Sequence, residues 1–234
     1  MCSASCLFYI LSFFPGSHVL LSKLENGKPI NLVSQGNTTG SSRKSYWPAS
    51  TIKLLPAIAI MRSGINTRTI VRMRGYRGSV RNLLKLALVS SSNKAYDRLV
   101  GITGLDYVNS TAKKLGLKHT WLTRAYGRKG YLRYSPGYYL GKRYIKPKRA
   151  KLRHAYCRSN CTSLEDLQKM LLEATKYREL RRWTRRRKGR FFKLVNRYFP
   201  STKVYCKDGH VFWRHGLKNC RFGEYIITVV MPSG

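Results

Sequence analysis

Apolar positions change their spacing several times along this chain, and each change marks an element. From His18 to Val33 two apolar runs flank Asn26-Gly27, the pattern of a β-hairpin closed by a two-residue turn. Gly36 to Ser45 is then a polar Gly/Ser/Thr loop. Ser50 opens a helix in which Ile52, Leu55, Ile58, Ala59 and Met61 leave little polar face, as a helix central to a core requires. Pro56 is expected to cost that helix one backbone bond near its second turn. Ser79 caps a second helix, running to Leu88, with Val80, Leu83, Leu84 and Ala87 on one face. Ser90 to Ser92 interrupt the pattern and Asn93 caps a further helix carrying Leu99 and Val100. Leu105 to Leu115 form another, which Gly116 terminates.

Between Arg124 and Asn160 apolar periodicity disappears. This stretch of Tyr, Gly, Pro, Lys and Arg reads as a long basic loop or partly disordered segment. Order returns where Ser163 and Asp166 form a capping box ahead of Leu164, Leu167, Met170, Leu171, Ala174 and Tyr177. A basic helix with Phe191, Phe192, Leu194 and Val195 follows and ends at Pro200. Lys203 to Lys207, Val211 to Arg214 and Glu224 to Met231 read as adjacent antiparallel strands separated by Gly-containing turns. Helices and strands therefore mix in one α/β chain, and no internal repeat is visible.

Composition narrows the class. At 234 residues and 43% hydrophobic content the chain can build one domain, or one with a small helical lobe. Its 46 Lys+Arg against 9 Asp+Glu, a formal +37, point to anionic partners: nucleic acid, anionic lipid or cell-wall polymer. No apolar run reaches the roughly eighteen residues of a membrane span. Leu7 to Phe14 resemble the apolar part of an export signal, although no Lys or Arg precedes them and Pro15-Gly16-Ser17 is a poor cleavage site. Residues 1–17 thus read as a signal or a first helix, and 18–234 as one domain, exported to the periplasm or the outside.

Three short strings carry the chemistry. In Ser50-Thr51-Ile52-Lys53 the i and i+3 side chains share a helix face, so the Lys53 amine can reach the Ser50 hydroxyl. Ser91-Ser92-Asn93 falls at the break between two helices, and Lys207-Asp208-Gly209 on a strand. Taken singly each is unremarkable: a capping serine with a solvated lysine, a connecting turn, a basic strand. Their order, with Trp47-Pro48-Ala49 before Ser50 and Phe199-Pro200 before the third string, resembles the SxxK, SxN and KTG elements of class A β-lactamases and penicillin-binding proteins. The resemblance runs from about His18 to Met231 and is poor from Arg124 to Asn160.

That resemblance implies a β-lactamase-like α/β (α+β) fold: a central antiparallel sheet flanked by helices, with a helical lobe carrying Ser91 and Asn93. It implies a serine hydrolase that attacks a β-lactam or cell-wall peptide carbonyl with Ser50 and passes through an acyl-enzyme. Lys53 would be the base, its neutral form favoured by burial and by the cation Lys207. Ser91 would relay a proton to the leaving nitrogen and the Asn93 amide would hold the substrate carbonyl. Lys207, Gly209 and His210 would complete the substrate site, Lys207 toward an anionic group and the Ser50 and His210 N–H groups as oxyanion donors. No cofactor or metal is implied.

Two departures bear on activity. Asp208 stands where the family carries Thr or Ser beside the substrate carboxylate, and no Asp or Glu occurs between Asp106 and Glu165, where class A β-lactamases keep the glutamate that activates deacylating water. An acylating protein with inefficient deacylation is the expectation. Six cysteines fall as Cys2/Cys6, Cys157/Cys161 and Cys206/Cys220, suggesting local pairs. On the family's strands Cys206 and Cys220 would lie on neighbouring strands, either disulfide-bonded or as two buried thiols. His154, Cys157 and Cys161 lack a fourth ligand for zinc.

Two rival readings remain at this stage: a degenerate family member that only binds, and a basic nucleic-acid-binding protein. Gly141 to Arg153 and Arg181 to Arg190 are charge runs interleaved with Tyr138, Tyr139, Tyr144 and Trp183, a mixture that tracks phosphates and stacks on bases.

Overall fold

At the centre lies helix α1 (Leu54–Arg62), with Leu54, Leu55, Pro56, Ala57, Ile58, Ala59 and Ile60 all buried. The computed structural model describes residues 19–25, 28–35, 48–127, 132, 134–151, 160–186, 193, 197, 202–215 and 219–232; in 19–35 and 202–232 it describes the backbone, with side chains only at Tyr205 and Lys207. The first turn expected of the helix, Ala49–Lys53, is a 3-10 turn, and α geometry begins at Leu54. Pro56 is thereby the third residue of the α-helix, in its first turn, where a missing N–H costs less than in a helix interior.

Among the described residues five helices follow α1 in the chain, and the second, third and fourth of them pack against it. Helix α2 (Val80–Leu88) follows Ser79, whose Oγ accepts from the Asn82 N–H at 3.1 Å, and buries Val80, Leu83, Leu84 and Ala87 as the pattern required. Helix α3 (Asn93–Thr103) starts one residue differently from expectation. Ser92, not Asn93, is its cap, with Ser92 Oγ accepting from the Ala95 N–H at 3.2 Å. A serine cap releases the Asn93 side chain for another use. Gly104, with φ +84, turns the chain sharply from α3 into α4 (Leu105–Lys114). Helix α5 (Leu164–Lys176) packs across α1 on another side and carries α6 (Arg178–Thr184) behind it. At its start the Asp166 N–H donates to Ser163 Oγ at 3.2 Å. The Asp166 carboxylate reaches the His119 N–H at 2.7 Å and Thr120 Oγ1 at 2.9 Å, tying the helix start to a neighbouring loop.

Sheet structure exceeds what the pattern announced. Strands β1 (Val19–Glu25) and β2 (Lys28–Gln35) form the expected hairpin, with Glu25 opposite Lys28; the Asn26-Gly27 turn lies outside the described residues. Strands β3 (Ile70–Met73) and β4 (Tyr76–Ser79) were not anticipated, being short and mixed in polarity. Nor is 124–160 a featureless loop. It supplies β5 (Tyr134–Ser135), β6 (Tyr138–Leu140), β7 (Arg143–Ile145) and β8 (Lys148–Arg149). These form a sheet in the order β4-β3-β6-β7 and a separate β5–β8 pair. The strands are two or three residues long and their stacking partners are tyrosines and arginine stems, so hydropathy hides them. Tyr139 lies 5.1 Å from the Tyr144 ring, and the Arg72 guanidinium stands 5.1 Å from the Tyr139 centroid.

The last sheet has the order β11-β10-β9, from β9 (Arg185–Arg186), β10 (Thr202–His215) and β11 (Asn219–Pro232). Two of the expected strands are one: β10 runs without a break through Gly209, which pairs with Tyr225. Cys206 and Cys220 do lie on neighbouring strands, as expected, but the register excludes the disulfide between them. Cys206 pairs with Thr228 and Cys220 with Arg214, so the two cysteines lie eight rungs apart, about 27 Å along the ribbon, far beyond the roughly 7 Å limit of a disulfide. Cys161 is disulfide-bonded, and the side chains of the other five cysteines lie outside the described residues. Of the expected helix at 191–199, Lys193 and Arg197 are helical and the rest lies outside the described residues. Residues 1–18 lie outside them too. Among the described residues no helix is long and apolar enough to cross a membrane, and no His/Cys/Asp/Glu group could hold a metal ion.

Candidate active site

Lys53 ends the 3-10 turn that delivers Ser50, and its side chain is completely buried. A buried ammonium must recover its lost hydration from fixed oxygens. Lys53 Nζ donates to Ser50 Oγ at 2.8 Å, to Asn93 Oδ1 at 2.6 Å and to the Ser91 carbonyl oxygen, with Ser91 Oγ at 3.3 Å. The i, i+3 spacing thus does what the sequence led one to expect, and the amine also ties the α2–α3 connection to the α1 start. Asn93 is available because Ser92 has taken over the capping task.

From the sheet side comes Lys207 on β10, only 2% exposed, with Nζ donating to Ser91 Oγ at 3.3 Å. Ser91 Oγ therefore lies between two amines, at 3.3 Å from each. Ser50 itself is half-buried, and β10 packs against its turn. Gly209 and His210 follow on the same strand, paired through the backbone with Tyr225 and Glu224. Ser50, Lys53, Ser91, Asn93 and Lys207 are brought together from three separate parts of the chain; Gly209 and His210 are placed on the adjoining strand by their backbone.

Strain collects here. Ala49 has φ +47 and Ser91 φ +52, the non-glycine residues with positive φ among those described. Such conformations cost about 1–3 kcal/mol each and persist only where surroundings impose them. At Ser91 the surroundings are visible: its carbonyl is taken by Lys53, and the next N–H, of Ser92, donates to the Leu86 carbonyl at 2.9 Å.

Sequence reasoning missed the roof of the site. The Asp97 carboxylate accepts from the Tyr126 N–H at 2.8 Å and the Gly127 N–H at 2.9 Å, folding that segment onto the start of α3. Gly127 passes so close that a Cβ there would meet the Lys94 backbone at 2.8 Å. The turn sets the Tyr126 ring 6.0 Å from Lys53 Nζ and stacks it on Tyr96 at 4.9 Å. Burial pushes both phenols well above their ordinary range; for Tyr96 the neighbouring Tyr126 and Asp97 charges add to this and the Asn160 amide opposes it. Both rings stay protonated near neutral pH and are not proton acceptors there. One signal was available: Asp97 lies one helical turn after Asn93 and so belongs to the same side of α3.

Fold and cleft together define a serine hydrolase of the β-lactamase and penicillin-binding type. The family described as the Beta-lactamase enzyme family matches residues 30–212, and the chain belongs to it. Among solved structures it is similar to a D-alanyl-D-alanine carboxypeptidase from Mycobacterium tuberculosis H37Rv, 18% identical over 93% of this chain and 83% of that one, with a TM-score of 0.57. It is similar also to a class A beta-lactamase from Mycobacterium abscessus, at 15% identity, 97% and 84% coverage and a TM-score of 0.59. A beta-lactamase from Sphaerobacter thermophilus DSM 20745 gives 14%, 99% and 88%, and 0.57. At these identities the likeness is one of fold. No curated protein matches the sequence.

Proposed function

We propose that Ser50 is the nucleophile of an acyl-transfer reaction on a β-lactam or a peptide amide of the D-alanyl-D-alanine kind. The observation that carries this reading is Lys53 Nζ, fully buried, reaching both Ser50 Oγ and Ser91 Oγ. In its neutral form Lys53 accepts the Ser50 proton as Oγ bonds to the carbonyl carbon. Ser91, set between Lys53 and Lys207, then gives its proton to the departing nitrogen as the C–N bond breaks, and is reprotonated from Lys53. Asn93 accepts from Lys53 through Oδ1, which leaves its NH2 to donate to the substrate carbonyl side. Lys207 supplies positive charge toward the substrate's anionic group, and the backbone at Ser50 and His210 supplies oxyanion donors.

Water must then hydrolyse the ester, and this step is slow. The group above Lys53 is the protonated Tyr126 phenol, and residues 107–164 contain no carboxylate to activate water. The protein therefore accumulates acyl-enzyme, acting as a penicillin-binding protein more than as an efficient lactamase. Asp208, beside Lys207 in sequence, biases recognition against a substrate carboxylate placed there. Such substrates lie outside the cytoplasm, in keeping with an exported protein. Intact mass after exposure to a penicillin tests the scheme: a lasting adduct is expected on the wild type and none on Ser50→Ala. An equal adduct on both proteins would remove Ser50 from its role.

A further inference from the structure

Away from Ser50, a groove of about 540 Å3 opens between α2 and the α6–β9 segment. Its described lining includes Arg81, Lys85, Val89, Arg182, Trp183 and Arg185, and no carboxylate. Arg81 is held by Glu179 through Nε at 3.1 Å, while Lys85, Arg182 and Arg185 are exposed. Trp183 is half-buried on the core and offers an apolar surface between them. In a protein of this charge, basic surface is common; a concave basic surface with an aromatic floor is a smaller class, because concavity focuses the field.

Each wall of the groove holds a residue that the backbone places close to the candidate active site. From Val89, two residues lead to Ser91, a Cα span of at most about 7 Å. Across the groove Arg185 pairs with Tyr205, and Tyr205 lies two residues before Lys207, about 7 Å along β10. Ser91 and Lys207 are themselves in contact at 3.3 Å. The groove therefore lies within reach of a chain whose scissile bond is held at Ser50.

We propose that the groove binds carboxylates carried by the acyl substrate beyond its scissile amide, so that the preferred substrate is an acidic peptide. Guanidinium forks match carboxylates in pairs, and Trp183 covers the intervening apolar atoms. This rests on the acyl-transfer reading above, deepens it to a substrate class, and gives part of the positive charge a task.

The test uses the full chain at low salt and two peptides ending in D-alanyl-D-alanine, one preceded by three glutamates and the other by three glutamines. Acylation and release are followed by mass, with penicillin labelling of the wild type as a separate reference. The glutamate peptide is expected to react roughly tenfold faster on the wild type, the combined effect of three exposed ion pairs. That gain should vanish in Arg182→Glu/Arg185→Glu and persist in Lys142→Glu/Arg143→Glu, which makes the same charge change on the β6–β7 turn. Lys85→Glu, on the opposite wall, should halve the gain or more and serves if the double variant melts early. Equal loss in both double variants would assign the effect to net charge and overturn the groove. Penicillin labelling without any glutamate gain would overturn the groove alone, whereas no labelling by either reagent would overturn the acyl-transfer reading with it. A twelve-nucleotide single strand that binds only while Arg182 and Arg185 are intact, with no glutamate gain, would hand the groove to nucleic acid.

Discussion

Lysine and arginine do opposite things in two regions of this molecule. In the cleft, Lys53 and Lys207 are buried, and each is held by oxygens that replace water. In the ribbons of residues 134–151, Lys142, Arg143, Lys146, Lys148 and Arg149 are exposed. The difference teaches that the net charge of the chain says little about its chemistry. A buried amine is costly and persists only where geometry makes it useful, whereas an exposed one costs almost nothing.

The comparison is broken most directly by deleting one amine from each region. Lys53→Met is expected to slow penicillin acylation by roughly 10^2–10^4-fold, the range of a lost general base, while Lys142→Met leaves the rate unchanged. Equal rates in wild type and Lys53→Met would show that the buried amine is merely structural. Next in size is the roof. Asp97→Ala removes a carboxylate that accepts two backbone N–H groups, at 2.8 and 2.9 Å, and should cost about 2–3 kcal/mol of stability, read from denaturant midpoints.

pH sharpens the contrast between interior and surface further. Tyr96 and Tyr126 have raised pKa values when folded, so the folded state holds protons that the unfolded chain releases near pH 10. Stability from these phenols is complete below that pH and falls as pH rises beyond it; Tyr126→Phe should flatten this alkaline decline in melting temperature. Glu173 behaves in the opposite sense. Burial alone would raise its carboxyl, but Lys176 at 2.7 Å, with Tyr177 and Arg62, outweighs burial and holds it low. Its contribution is present above the ordinary glutamate range and is lost as pH falls through it, an acid limb that Glu173→Gln should remove. Smallest is the surface: Arg72→Ala should cost only about 0.5–1 kcal/mol through its contact with Tyr139.

Legibility followed the same division. The helices at 80–88, 105–114 and 164–176 could be read because each buries one apolar face against α1 or its neighbours, and the period survives in the residues. Ser50 and Lys53 were legible as a pair because i, i+3 contact is local. The ribbons at 134–149 were not, since tyrosine and arginine can bury stems and rings while looking polar. Gly209 suggested a turn, but pairing along two fourteen-residue strands overrides one glycine's weak preference. Between Ser92 and Asn93 as a cap, composition had no means to choose; the demand of Lys53 for an oxygen did.

By itself, then, the sequence determined the order of the helices, the burial of α1, the nearness of Lys53 to Ser50 and the family resemblance carried by three strings. Each depends on residues close in the chain, whose geometry is set by backbone periodicity. Tertiary structure alone decided that Ser91 lies between two amines, that Tyr126 rather than a carboxylate covers Lys53, and that Cys206 and Cys220 are far apart. Those are facts of register and packing between residues from 14 (Cys206 and Cys220) to 116 (Ser91 and Lys207) positions apart in the chain. Nothing local encodes such pairings, because they exist only once the core around α1 has closed.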